Sequence, residues 1–129
     1  MLREIEGLRQ DEPALRRRWF HDDDFDLFVW QHEDGRVTAF ELCYGASGSE
    51  CALVWRQGEG FYHDGPPPQT AVGASGNDVF RERFNAAAVQ LPLSLRDTLD
   101  QRLAEYLATR DRVTTRRKRF RRADWQEAG

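Results

Sequence analysis

Residues that most often announce chemistry are scarce in this sequence, and each scarcity removes a class of protein. Cys43 and Cys51 are the two cysteines of 129 residues, too few for a disulfide framework, and a chain of this length folds without one. Reduced thiols are expected. The three histidines, His21, His32 and His63, show no paired HExxH-type spacing, so a zinc-protease motif is excluded. No stretch approaches the roughly 20 apolar residues of a membrane-spanning helix. Met1-Leu2-Arg3-Glu4-Ile5-Glu6 places charges where a secretory signal carries its apolar run, so a cytoplasmic protein is expected.

What is present is a chain of single-domain size. Hydrophobic residues at 40% and aromatics at 12% exclude disorder, and charged residues at 32% with a mean hydropathy of -0.76 imply a heavily solvated exterior. The net charge of -3 hides an asymmetry: residues 110–129 carry eight basic side chains against three acidic ones, which leaves eleven against nineteen in the body. Such segregation suits a partner of opposite sign or a second copy of the chain.

Asp34-Gly35 lies between β-branched and aromatic residues and has the chemistry of a two-residue hairpin turn. It predicts strands at about 25–33 and 36–44, with Glu33 facing Arg36, Val29 opposite Phe40 and Leu27 opposite Leu42. The Gly- and Ser-rich segment 45–49 predicts a second hairpin into a strand at about 50–57, and a symmetric register sets Phe40 against Val54, Leu42 against Ala52 and Cys43 against Cys51. Gly58-Glu59-Gly60 then turns the chain into a short strand bearing Phe61, Tyr62 and His63. Upstream, Arg16 to Phe20 reads as a strand that turns at His21-Asp22-Asp23-Asp24, and Ile5 to Leu8 as a candidate edge strand.

Period-two alternation sorts these strands into two faces. Phe20, Phe25, Leu27, Val29, Phe40, Leu42, Tyr44, Ala52 and Val54 form an apolar core face. Trp19, Asp26, Phe28, Trp30, Ala39, Glu41, Cys43, Leu53 and Trp55 form a mixed face of aromatics and carboxylates. Three prolines, Pro66 to Pro68, end the sheet region. Beyond them Val79, Phe80, Phe84, Ala87 and Ala88 recur at helical spacing after a cap at Asn77 or Asp78. Leu95, Leu99, Leu103, Tyr106 and Leu107 do so after Ser94, with Asp97 completing a capping box. The fold class expected is α+β: an antiparallel β-meander of about four to six strands, then two C-terminal helices packed on one sheet face. Residues 1–109 are read as one domain, with the sheet at about 5–64 and helices at about 78–90 and 95–109, and 110–129 as a basic tail or helix extension.

Asp11-Glu12-Pro13, Arg17-Arg18-Trp19-Phe20, Phe25-Asp26-Leu27, Val29-Trp30 and Leu42-Cys43-Tyr44 give the first half of the chain a resemblance to a group of small bacterial proteins with no assigned activity. The resemblance implies a bacterial cytosolic origin and offers no catalytic residue.

Three features bear on function. His21-Asp22-Asp23-Asp24 with Asp26 has the donor chemistry of a hard-cation site, but adjacent loop residues cannot all converge on one ion and the spacing lacks that of a calcium loop. A solvated acidic turn is expected, with no metal and no cofactor. Arg116, Arg117, Lys118, Arg119, Arg121 and Arg122, with Phe120 and Trp125 near them, suit a polyanion, although the acidic body repels one. An acidic body and a basic tail also fit exchange of the tail between subunits.

The mixed face carries the leading expectation. Trp19, Phe28, Trp30, Glu41, Leu53 and Trp55, with Asp26 and Arg17 near them, have the composition of an interface or ligand cleft, unless the N-terminal segment, the proline loop or the tail covers them as a second core. The function expected is a non-enzymatic module that binds a protein partner or itself. The alternatives are a small-molecule enzyme or carrier, with Glu41 or Asp26 as its polar group and His63 or His32 as base, and polyanion binding by the tail.

Overall fold

The computed structural model describes residues 1–44, 51–74 and 76–116. It shows an α+β chain with a seven-stranded sheet in the order of the sequence: β1 (Arg3–Glu4), β2 (Leu15–His21), β3 (Asp26–His32), β4 (Val37–Tyr44), β5 (Cys51–Arg56), β6 (Gly60–Asp64) and β7 (Thr114–Arg116). Neighbours pair antiparallel through β6, and β7 joins β6 in parallel. The helices α1 (Val79–Ala87) and α2 (Leu93–Thr109) stand between β6 and β7 in the chain and supply the crossover that a parallel pair requires. The strand count is thus seven rather than four to six. The two additional strands are the outermost and shortest, and too polar to show a hydrophobic period.

The turn at Asp34-Gly35 is one residue longer than expected. Gly35 N–H donates to His32 O at 2.9 Å and His32 N–H to Arg36 O at 2.8 Å, so the loop is Glu33-Asp34-Gly35, with Gly35 at φ 93° in the left-handed region that glycine occupies at no steric cost. A register shift between Trp30 and Gln31 leaves Thr38 as the extra residue of β4. Loop and bulge each move the pairing by one position, in opposite senses. Val29 therefore still faces Phe40, and Leu27 still faces Leu42.

No such compensation rescues the next hairpin, whose loop, 45–50, lies outside the described residues. Phe40 pairs with Trp55, Leu42 with Leu53 and Tyr44 with Cys51, one residue off the symmetric register. A slip of one exchanges the faces of the whole strand. Leu53 and Trp55 consequently join the main core, and Ala52 and Val54 take their places beside Glu41 and Cys43. Cys43 sits opposite Ala52 and Cys51 opposite Tyr44, so the two thiols lie on different faces and form no disulfide with each other.

The main core joins Phe20, Phe25, Leu27, Val29, Phe40, Leu42, Leu53 and Trp55 to Phe80, Phe84, Ala88, Leu95, Leu99, Leu103 and Tyr106 of the helices. Asp78 caps α1 by accepting from Arg81 N–H at 3.1 Å. The second cap differs from expectation: α2 starts at Leu93 after Pro92, without a side-chain cap, and Ser94 lies inside the helix. Arg81 donates twice to Asp100, at 2.7 and 2.9 Å, and ties the helices together; this pairing, with Asn85 adding a hydrogen bond, holds the Asp100 carboxyl below its ordinary range. Past α2 a short 3-10 turn, Arg110–Arg112, leads into β7. Among the described residues no helix is long and apolar enough to cross a membrane.

Candidate functional site

The registers arrange the second sheet face in three rows that run across the strands. One row reads His21, Asp26, Cys43, Ala52, Asp64, Arg116 from β2 to β7, and the middle row reads Trp19, Phe28, Glu41, Val54, Tyr62, Thr114. The third reads Arg17, Trp30, Ala39, Arg56 and ends at Gly60. Trp19, Phe28, Trp30 and Glu41 thus share a face as expected from the sequence, and Leu53 and Trp55 do not join them.

In the middle row Trp19 stacks on Phe28 with ring centroids 5.6 Å apart. Ile5 and Leu8, expected on an edge strand, instead pack against this pair, since the strand at the N-terminus stops at Glu4. The turn after β2 is built by its own acids: Asp22 Oδ1 accepts from the backbone N–H groups of Asp24 and Phe25 at 2.8 and 2.7 Å, and Asp22 Oδ2 meets the terminal ammonium at 3.3 Å. Asp26 accepts from Trp19 Nε1 at 2.9 Å and from His21 Nδ1 at 2.7 Å. The acidic loop is therefore divided between a turn and a hydrogen-bonded row.

Glu41 is fully buried at 0% exposure, and the guanidinium of Arg56 reaches its Oε1 at 3.3 Å from the third row. The same guanidinium lies 5.6 Å over the ring of half-buried Trp30, within the range of a cation–π contact. Arg17 flanks Trp30 on the other side and reaches Asp11 at 3.4 Å. Arg56 was not anticipated. Its place follows from the one-residue slip of β5, which moves it from the core phase to this face.

The imidazoles considered as bases do not reach Glu41 or Asp26. His32 ends β3 at the hairpin, and His63 is on the core face, sharing a 2.7 Å hydrogen bond with the Tyr106 hydroxyl. Burial lowers the pKa of His63 and pushes that of Tyr106 up to about 12. The histidine that does meet Asp26 is His21, brought across the turn from it by the Asp22 hydrogen bonds.

Of the basic tail, Arg116 is described: its guanidinium lies 4.6 Å over the Tyr62 ring and 3.5 Å from Glu59 Oε1. Arg117, Lys118, Arg119, Arg121 and Arg122 lie outside the described residues. Among the described residues no group of three or more His, Cys, Asp or Glu side chains is placed to hold a metal ion. Compared with models of known protein families, with curated proteins and with solved structures, the chain matches none.

Proposed function

We propose that the protein is a non-enzymatic interaction module that binds a protein partner, or a second copy of itself, through the Trp30 end of its second sheet face. The observation that carries this reading is the half-buried Trp30 between two arginines, with Arg56 held over its ring by buried Glu41. Tryptophan and arginine are the side chains that most often dominate binding energy at an interface. A guanidinium already oriented by a carboxylate loses little freedom when a partner arrives. In this reading α1 and α2 close the opposite sheet face; the ring contacts of Phe25 with Phe80 and of Phe61 with Tyr106 support that arrangement.

The test is the solution mass of the purified chain by light scattering across a salt series, alone and as Trp30→Ser. A dimer or larger species that persists in high salt and is dispersed by the substitution is expected, because screening weakens exposed charge pairs far more than apolar burial. A monomer at every salt concentration overturns self-association. An unchanged oligomer in the Trp30→Ser protein overturns Trp30 as its centre.

A further inference from the structure

His21 joins a buried carboxylate to a ring that reaches solvent. Its side chain is 39% exposed and that of Asp26 only 9%. His21 Nδ1 lies 2.7 Å from Asp26 Oδ1, and among the described residues nothing hydrogen-bonds to its Nε2. A carboxylate can only accept, so the proton of that bond belongs to Nδ1, and in the neutral ring Nε2 carries the lone pair. The nucleophilic nitrogen is therefore the one turned away from Asp26.

The support beneath this ring is rigid. Asp26 Oδ1 is fixed by a second donor, Trp19 Nε1 at 2.9 Å, and Trp19 is itself 3% exposed and stacked on Phe28. Asp22 Oδ1 accepts from the N–H groups of Asp24 and Phe25 and so holds the turn that sets His21 against Asp26. A side chain oriented by a second group that is held in turn by a third is the arrangement of an activated nucleophile. The carboxylate also stabilises the positive ring that forms when Nε2 attacks.

The surroundings select the electrophile. Arg3 takes the position opposite His21 in β1, but Asp23 and Asp24 are exposed in the adjoining turn, so an anionic donor such as an acyl phosphate is not concentrated here.

We infer that His21 is a modification site whose Nε2 accepts an acyl group from an uncharged, activated acyl donor, with Asp26 as its positioning residue. Nε2 bonds to the carbonyl carbon, and the bond from that carbon to the leaving oxygen breaks. The Nδ1 proton that the acylated ring gives up ends on the leaving group. This goes beyond the interaction reading and does not rest on Trp30.

The probe is diethyl pyrocarbonate near neutral pH, with the modified histidines located by peptide mapping; its leaving group, ethyl carbonate, takes the proton and decays to carbon dioxide and ethanol. In the folded chain His21 is expected to react at least about tenfold faster than His32, which is also half-buried, and the two rates are expected to converge in urea. Equal rates in the folded chain overturn the proposal. A ratio that survives in urea also overturns it, because the difference then belongs to local sequence and not to the fold. Asp26→Asn keeps an acceptor but removes the charge, and it is expected to abolish most of the advantage of His21; an unchanged rate overturns the role of Asp26. If that variant does not fold, nitrogen-15 NMR of the unmodified chain decides. The neutral His21 ring is expected as the Nδ1–H tautomer, and the Nε2–H tautomer overturns the proposal.

Discussion

The side-chain amide of Gln10 pairs with the backbone of Arg17 as a neighbouring strand would. Its Nε2 donates to Arg17 O at 2.9 Å, and Arg17 N–H donates to its Oε1 at 2.8 Å. β1 ends at Glu4, and one more bond, from Ile5 N–H to Trp19 O at 2.8 Å, continues the pairing. Beyond it the amide occupies backbone groups of β2 that an incoming strand would otherwise use.

Gln10→Ala is accordingly expected to cost about 1 kcal/mol in urea unfolding, the usual net value of a hydrogen-bond pair near solvent. It should also raise self-association, by leaving the β2 edge open. Light scattering at high protein concentration measures the second effect. A variant that matches the parent chain in both readouts shows that the amide does not guard the edge.

Trp30 and Trp55, which lie on opposite faces of the sheet, should respond differently to truncation. Trp55 is in the main core beneath the Arg102 guanidinium, which lies 4.3 Å from its ring, so Trp55→Ala is expected to cost about 3 to 5 kcal/mol. Trp30→Ala, at a half-buried site, should cost less than half as much. Equal losses in chemical denaturation would contradict the β4–β5 register.

Stability should fall with acid through His63. Its pKa in the folded chain is lowered by burial, so the unfolded chain binds the proton more readily, and the stabilisation present above the unfolded value of about 6.5 is lost as pH falls through that value. Unfolding at pH 7.5 and 5.5 should show this slope in the parent chain and a smaller one in His63→Gln, whose amide retains a partner for Tyr106. Asp100 and Glu4, held low by Arg81 and Arg18, add their own losses only at lower pH, near their unfolded values.

Cys43 and Cys51 should stay unlinked under oxidation. Alternate strand positions direct their side chains to opposite faces, and a disulfide needs their Cβ atoms within about 4.5 Å. After incubation with oxidised glutathione and denaturation, non-reducing mass analysis is expected to show no intramolecular bridge. A two-hydrogen mass loss from the monomer would contradict the observed register.

Much of the sheet was legible because its chemistry is local. Asp34-Gly35 marks the first hairpin, and in β4 Phe40, Leu42 and Tyr44 alternate with Glu41, so the phase of β4 is written in its own residues and the hairpin carries it to the apolar run of β3. The stripes Phe80, Phe84 and Leu95, Leu99, Leu103 likewise state helix and buried side together. The pairing of Trp19 with Phe28 and Glu41 followed from that phase. The His21–Asp26 contact did not, because it depends on how tightly Asp22 folds the turn between them.

By itself the sequence determined the α+β class, the first hairpin, the two helices and the shared face of Trp19, Phe28, Trp30 and Glu41. Only the tertiary structure decided on which face Leu53, Trp55 and Arg56 lie. Cys51-Ala52-Leu53-Val54-Trp55 is apolar in both phases, so alternation carries no information there and a one-residue slip leaves the local pattern equally good. The choice comes from volume: the main buried cluster takes the larger Leu53 and Trp55, and the smaller Ala52 and Val54 fit beside Glu41 and Cys43. β7 was decided the same way, since Thr114–Arg116 has no hydrophobic period and becomes a strand because α2 delivers it to the open edge of β6.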